Sequence, residues 1–302
     1  MSLRVRIVVC LAIGLVSGVM CSLYQGAFAR GAGDLGMPLC MGQALLAGAD
    51  PYAVCQGFQS DGVTPNTANP LTTVVISLPL LWLPPSIAAG VFFGLSSGLL
   101  AWGLTRTGDW WRLLTLLALP YWQALVTVQW SPLLLAVWFW PALLALTLAK
   151  PHVGAAVALT TPWRPWPVAI GVVIGVVSLL MMPTWPFAMA GRIGAMDDYL
   201  APLLIFPGFL LLLAGLQWRT REGRFLLLLS LVPQRAFYDQ LLVFAVPRTM
   251  RSLLILVLCS WLTYFGWFFW PGSPLPWLIV GLYLPALGIL FVDRYTLAKE
   301  SK

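Results

Sequence analysis

The sequence predicts an all-α fold, a polytopic bundle of transmembrane helices. Three observations carry that reading. The 302-residue chain is 60% hydrophobic and only 9% charged, where a soluble domain carries about 25% charged residues. Several apolar runs approach the roughly 20 residues needed to cross a bilayer. Carboxylates, prolines and polar aromatics gather in short stretches between those runs, above all at 33–52. The pattern predicts about nine to eleven membrane segments, some broken or re-entrant. No polar block is long enough for a separate soluble domain, so residues 1–302 are expected to form one transmembrane domain.

In chain order, Arg4 and Arg6, the apolar run from Ile7, and Ala27-Phe28-Ala29 imitate a cleavable signal peptide. Many spans follow, so 5–24 reads as an uncleaved first helix. Gly14 and Gly18 give it a small-residue face for close helix packing. Gly31 and Gly33 release the chain into a first extracytoplasmic loop, 26–68, in which 37–47 predicts a short interfacial helix. Asn69-Pro70-Leu71 opens a second helix that ends at Pro84-Pro85; a proline in the first turn loses no hydrogen bond. A third helix, 86–104, has Gly90, Gly94 and Gly98 on one face. A fourth helix covers 112–128, and Gln129-Trp130-Ser131-Pro132 makes a tight turn. A fifth covers 133–149 and stops at Lys150-Pro151-His152. The stretch 153–160 is too short to span. A sixth helix, 168–182, leads to a second extracytoplasmic loop, 183–200, holding Arg192, Asp197 and Asp198. A seventh helix covers 202–216. The run 225–246 is interrupted at 233–239, which carries Arg235 and Asp239, and two last helices cover 252–270 and 277–292.

The net charge of +7 reports orientation and not nucleic-acid binding, because basic excess in a membrane protein marks the cytoplasmic side. With a cytoplasmic N-terminus, eleven of the 17 basic residues fall inside and six outside, the six being Arg30, Arg106, Arg112, Lys150, Arg192 and Arg235. Asp34, Lys150, His152, Arg192, Asp197, Asp198, Arg235 and Asp239 then share the outer side. The five cysteines lack metal-ligand spacing and His152 is the one histidine, so neither a metal nor a cofactor is expected. Cys40 and Cys55 share a loop and can form a disulfide in an oxidising compartment; two unpaired thiols is the plainer expectation.

A break at membrane depth survives only where it lines protein or a watery cavity. The interruption at 233–239 therefore suggests a polar cavity opening outward, with direct pairing of Arg235 and Asp239 as the simpler alternative. Cations in a partly dry cavity suit a phosphate, and a carboxylate suits general-base activation of a hydroxyl. Asp34 facing Lys150, Arg192 and Arg235 combines the two, as group transfer from a lipid phosphate requires. His152 is a lesser phosphate-binding candidate. Asp50 and Tyr52 read as acceptor-binding or loop-shaping residues, and Asp197 and Asp198 as acceptor-binding or solvated.

The pattern Gly33-Asp34 … Ala44-Leu45-Leu46-Ala47-Gly48-Ala49-Asp50-Pro51-Tyr52 resembles the first external loop of the GT-C glycosyltransferases, in the branch of polyprenyl-phosphate-mannose-dependent mannosyltransferases. Asn69-Pro70-Leu71 is similar to that branch's Tyr-Pro-Pro-Leu, Val128-Gln129-Trp130-Ser131 to its Gly-Gln-x-Asn, and Lys150-Pro151 to its Lys-Pro. Thr184-Trp185-Pro186 and the 233–239 break have counterparts too. The resemblance implies a GT-C-like bundle in a bacterial plasma membrane and an inverting, metal-independent transfer on the extracytoplasmic side. It also implies a polyprenyl-phosphate sugar donor among the membrane lipids, and an aspartate base that maps onto Asp34. The chain is shorter than typical members and the segment between Gln129 and Lys150 is compressed. A non-catalytic membrane subunit of the same fold, bound to a protein partner, is the alternative.

Overall fold

The computed structural model describes residues 2–55, 69–193 and 201–300, with backbone alone at 192–193 and 297–300. Helices and turns build all of it, and no strand occurs among the described residues. The fold is the predicted all-α polytopic bundle. Among the described residues four helices are long and apolar enough to cross a bilayer: Leu3–Ala27 (α1), Pro85–Thr105, Met250–Phe269 and Pro274–Thr296. The helix pair Pro165–Met181 and Trp185–Gly191, bent by 86°, passes the same test when taken together, as a broken span or a re-entrant loop. The remaining apolar runs fold as shorter helices and 3-10 segments. Ser131–Phe139 and Asp239–Ala245 are sheltered inside the bundle, where broken backbone is tolerated, whereas the 3-10 run Gly208–Gln217 keeps Phe209, Leu212, Leu213 and Leu216 exposed.

After α1 the chain makes a 3-10 turn at Gly33–Leu35, helix α2 (Gly36–Leu46) and a short helix α3 (Pro51–Val54). Helix α4 (Leu71–Ser77) continues as a 3-10 turn to Leu80. At 1.5 Å per residue its ten residues reach about 15 Å, half of a bilayer core. One end stays beside α3 and the other beside α2. Tyr52 donates its hydroxyl to the Asn69 carbonyl at 2.9 Å, and Leu81 packs over Gly42. The second helix expected as a span is therefore a half-span that returns to its own face.

This reverses the next helix. Helix α5 (Pro85–Thr105) runs antiparallel to α1, and their glycines face each other. A Cβ on Gly18 would stand 2.7 Å from the Gly90 carbonyl oxygen, and one on Gly94 would stand 2.8 Å from that of Gly14. The two small-residue faces foreseen in the sequence are thus one interface. Cys10 lies 4.0 Å from Thr105, so Arg106 emerges where α1 begins. A 3-10 run, Trp110–Leu117, and helix α6 (Leu119–Thr127) climb back, with Tyr121 bonded to Ser17 and Ser97 and Val126 to Gln25. The expected single helix 133–149 is a hairpin instead. Helix α7 (Ser131–Phe139) descends beside α5, from Trp130 against Phe92 to Phe139 against Gly103. The 3-10 run Pro141–Ala149 then ascends to Lys150. Helices α8 (Pro151–Thr160), α9 (Pro165–Met181), α10 (Trp185–Ile193), α11 (Arg221–Leu231) and α12 (Met250–Phe269) complete the bundle with the last span.

The result is two unlike faces. At the face where α1 begins, Arg6 lies over Trp102 and Arg106 over Trp140. Arg112 donates to the Pro247 carbonyl, Arg221 to those of Trp138 and Thr160, Arg248 pairs with Glu222, and Arg294 bonds Gln217. Arg106 and Arg112, expected on the outer side, belong to this basic face. Among the described Lys and Arg side chains, only Arg30, Lys150 and Arg235 remain at the opposite, loop face. One apolar core runs through the bundle from Cys21 to Leu290. A smaller cluster, around Met41, Tyr52, Cys55 and Val74, sits under the loop with Trp185 and Met189 of α10 against it.

Candidate active site

Asp34 sits on the Gly33–Leu35 turn, and the fold places it by interlocking two left-handed residues. Gly33 has φ +53°, and a Cβ there would stand 2.7 Å from the Thr127 carbonyl oxygen. Across from it Val128, which ends α6, has φ 57° and ψ 57°. A β-branched residue is strained in this region. The two turns abut, and the residue after each faces the other: Gln129 donates its amide to Asp34 Oδ2. Water reaches the Asp34 side chain, yet protein surrounds it as it surrounds an interior group. Together these describe a carboxylate in the floor of a crevice. Burial pushes its carboxyl up from the ordinary carboxylate range; the Gln129 hydrogen bond and the charges of Arg235 and Lys150 pull it down, and that of Asp239 pushes it up. Because water does reach it, the rise is smaller than for a sealed group.

The other charges of the loop face converge on the same place. Lys150 stands between the 3-10 run and α8, where Pro151 opens the new helix. Its ammonium is 2.5 Å from Asp239 Oδ1 and 4.8 Å from the centre of the Tyr238 ring. Asp239 is fully buried, and its second oxygen accepts the Arg235 backbone N–H at 3.0 Å. The alternative of an Arg235–Asp239 side-chain pair gives way to a Lys150–Asp239 pair, with Arg235 contributing its backbone N–H to it. His152 is the second residue of α8, two positions after Lys150. Burial, and after it the Lys150 charge, push its imidazole down to about 4, so it is neutral at pH 7 and adds no positive charge for a phosphate. The charges of Arg235 and Asp239 also act on it.

The structure gathers Asp34, Lys150, His152 and Arg235 from the predicted set. Arg192 lies on α10, its side chain outside the described residues, and Asp197 and Asp198 lie outside them altogether. Asp50 and Tyr52 shape the loop. Asp50 accepts the Tyr52 N–H at 2.8 Å, capping α3, and buried Tyr52 ties that turn to Asn69. Cys40 and Cys55 are joined in a disulfide, which corrects the expectation of two thiols and staples α2 to α3.

Sequence reasoning missed three contributors. The sequence places Gln129 in a tight turn and gives no sign that it reaches Asp34. Asp239 stands in the break in the sequence, with no sign there that Lys150 is its partner. Beneath the break, Tyr283 donates its hydroxyl to Gln234, which is also approached by Gln240 at 3.5 Å. Tyr283 stands at the end of a π-helical turn, Ile279–Tyr283, in the last span. Such turns often mark functional places. The available signal was the side-chain amides: Gln129, Gln234 and Gln240 are all buried polar groups in apolar segments, and such groups must find partners.

No family model, curated protein or solved structure matches the chain.

Proposed function

We propose that this chain is an integral membrane glycosyltransferase that moves a sugar, mannose in the first instance, from a polyprenyl-phosphate donor to an extracytoplasmic acceptor hydroxyl. The observation that carries the reading is the water-accessible Asp34 carboxylate, held at one oxygen by Gln129 and within electrostatic reach of Lys150 and Arg235. Asp34 Oδ1 takes the acceptor proton as the acceptor oxygen bonds to the anomeric carbon. The bond from that carbon to the phosphate oxygen breaks, and the cations stabilise the charge developing on the leaving phosphate. The described arginines of the basic face support a cytoplasmic placement of that face, with the Asp34 loop outside. A Cys40–Cys55 disulfide fits an oxidising outer compartment.

The test is transfer in vitro from a short-chain polyprenyl-phosphate mannose to a panel of lipid, glycan and peptide acceptors. Wild type is expected to transfer, and Asp34→Asn to lose about 10²–10⁴ of the rate while remaining folded and inserted. Equal activity of the two sinks the role of Asp34. No transfer by wild type to any acceptor, with a protein partner co-purifying, favours the non-catalytic subunit.

A further inference from the structure

A groove open to the membrane runs along the seam of α1 and α5. Its floor is the paired glycine backbone, its walls are almost wholly apolar, and its volume is about 700 Å³. From Ile7 to Ser22 it extends about 22 Å at 1.5 Å per residue, longer than the ~15 Å half-thickness of a bilayer core. That is room for an extended acyl chain.

The end of the groove at the basic face is built differently. Trp102 and Trp140 line it, with ring centres 6.2 Å apart. The Arg6 guanidinium lies 4.2 Å from the Trp102 ring and that of Arg106 lies 5.9 Å from the Trp140 ring. Among the described residues neither arginine is in an ion pair. The Arg6 Nε–H is buried with no acceptor. The nearby carboxylate, Asp109, is engaged by Arg112. An apolar trough therefore ends in two uncompensated cations, two interfacial indoles and an orphaned donor.

The geometry points to a binding site for one anionic glycerophospholipid, with an acyl chain in the α1–α5 groove and the phosphate on Arg6 and Arg106. Basic pockets between transmembrane helices recognise anionic head groups in this way. A neutral lipid leaves the cations unanswered. A second copy of α1 brings another Arg6 to the same place, setting like charges together. The site lies on the opposite face from Asp34, so it stands or falls independently of the transferase reading.

The experiment is native mass spectrometry of the purified protein equilibrated with equal amounts of phosphatidylglycerol and phosphatidylcholine. One phosphatidylglycerol is expected to be retained with a preference of about tenfold. Arg6→Gln with Arg106→Gln should abolish the preference. Leu95→Trp, at an exposed groove wall, should abolish retention with both arginines intact. Thermal unfolding reports that each variant is folded. Equal retention of the two lipids by wild type overturns the proposal. So does undiminished phosphatidylglycerol in either variant, or a polypeptide found in place of the lipid.

Discussion

The Lys150 ammonium lies 2.5 Å from the carboxylate of Asp239, a residue with no exposed surface. The pair joins the start of α8 to the break that follows α11, so it fixes the two walls of the crevice that Asp34 floors. Removing one partner of a buried pair leaves an uncompensated charge and costs about 3–5 kcal/mol. Lys150→Met should cost the more, because it strands the fully buried carboxylate; Asp239→Leu strands an ammonium that retains 12% exposure. The double substitution should recover most of the loss. Unfolding of the three variants in detergent checks this, and additive losses would show that the residues do not interact.

Gln129 bears on the pH dependence of the reaction. Its hydrogen bond pulls the Asp34 carboxyl down, so Gln129→Leu should raise it further. A general base must be ionised, and the acidic limb of the rate profile should therefore move to higher pH. If Gln129 were only a packing residue, the rate would fall uniformly with the limb in place.

Asp34 itself carries a cost in stability. A carboxyl raised in the folded state binds a proton more readily there than when unfolded. Its contribution is least unfavourable below the unfolded value, near 3.9, and worsens as pH rises through the folded value. Asp34→Asn should thus be more stable than wild type at pH 7, with the gap closing towards pH 4. Matched unfolding curves at the two pH values decide it.

The glycine seam gives a clean contrast. Gly94→Val places atoms where a Cβ alone would meet the Gly14 carbonyl at 2.8 Å. Overpacking of that kind costs about 1–3 kcal/mol or more. Gly26→Ala, in the same helix pair but with nothing within 4 Å of the new Cβ, should be neutral or slightly stabilising. Thermal unfolding of the two variants should separate them.

The direction of α5 is open to direct test. A cysteine at Thr107 should react with a membrane-impermeant maleimide only after the cell is opened, and one at Leu46 should react in intact cells. Labelling of both from outside would mean that α4 crosses the membrane after all.

Much of this was legible in the sequence. Composition and apolar runs predicted the helical bundle, and the glycines at 14, 18, 90, 94 and 98 foretold a close interface without naming the partners. Lys150 was placed on the correct face for the wrong reason. Counting α4 as a full span added a crossing, and merging α7 with Pro141–Ala149 removed one. The two errors cancelled at Lys150 and left Arg106 and Arg112 on the wrong face between them. Hydropathy could not separate these cases, because a ten-residue half-span and a tight hairpin hide among other helices and need not look lipid-soluble from end to end. The partner of Asp34 depended on Val128 taking a left-handed turn, and a valine gives no warning of that.

The α1–α5 seam also has a consequence for how the chain is made. Gly18 meets Gly90, and roughly seventy residues separate them. At synthesis rates of about 5–20 residues per second, α1 enters the bilayer several seconds before its partner exists. During that interval its bare glycine stripe is the very surface on which transmembrane helices dimerise. Pairing with a second nascent α1 is opposed only by the Arg6 charges it would bring together. Only 22% of the apolar window of α1 is buried even in the finished fold, so little besides α5 competes for it. Assembly of this protein therefore depends on how soon α5 emerges to cover that stripe, and slowing translation between the two helices should lower its yield.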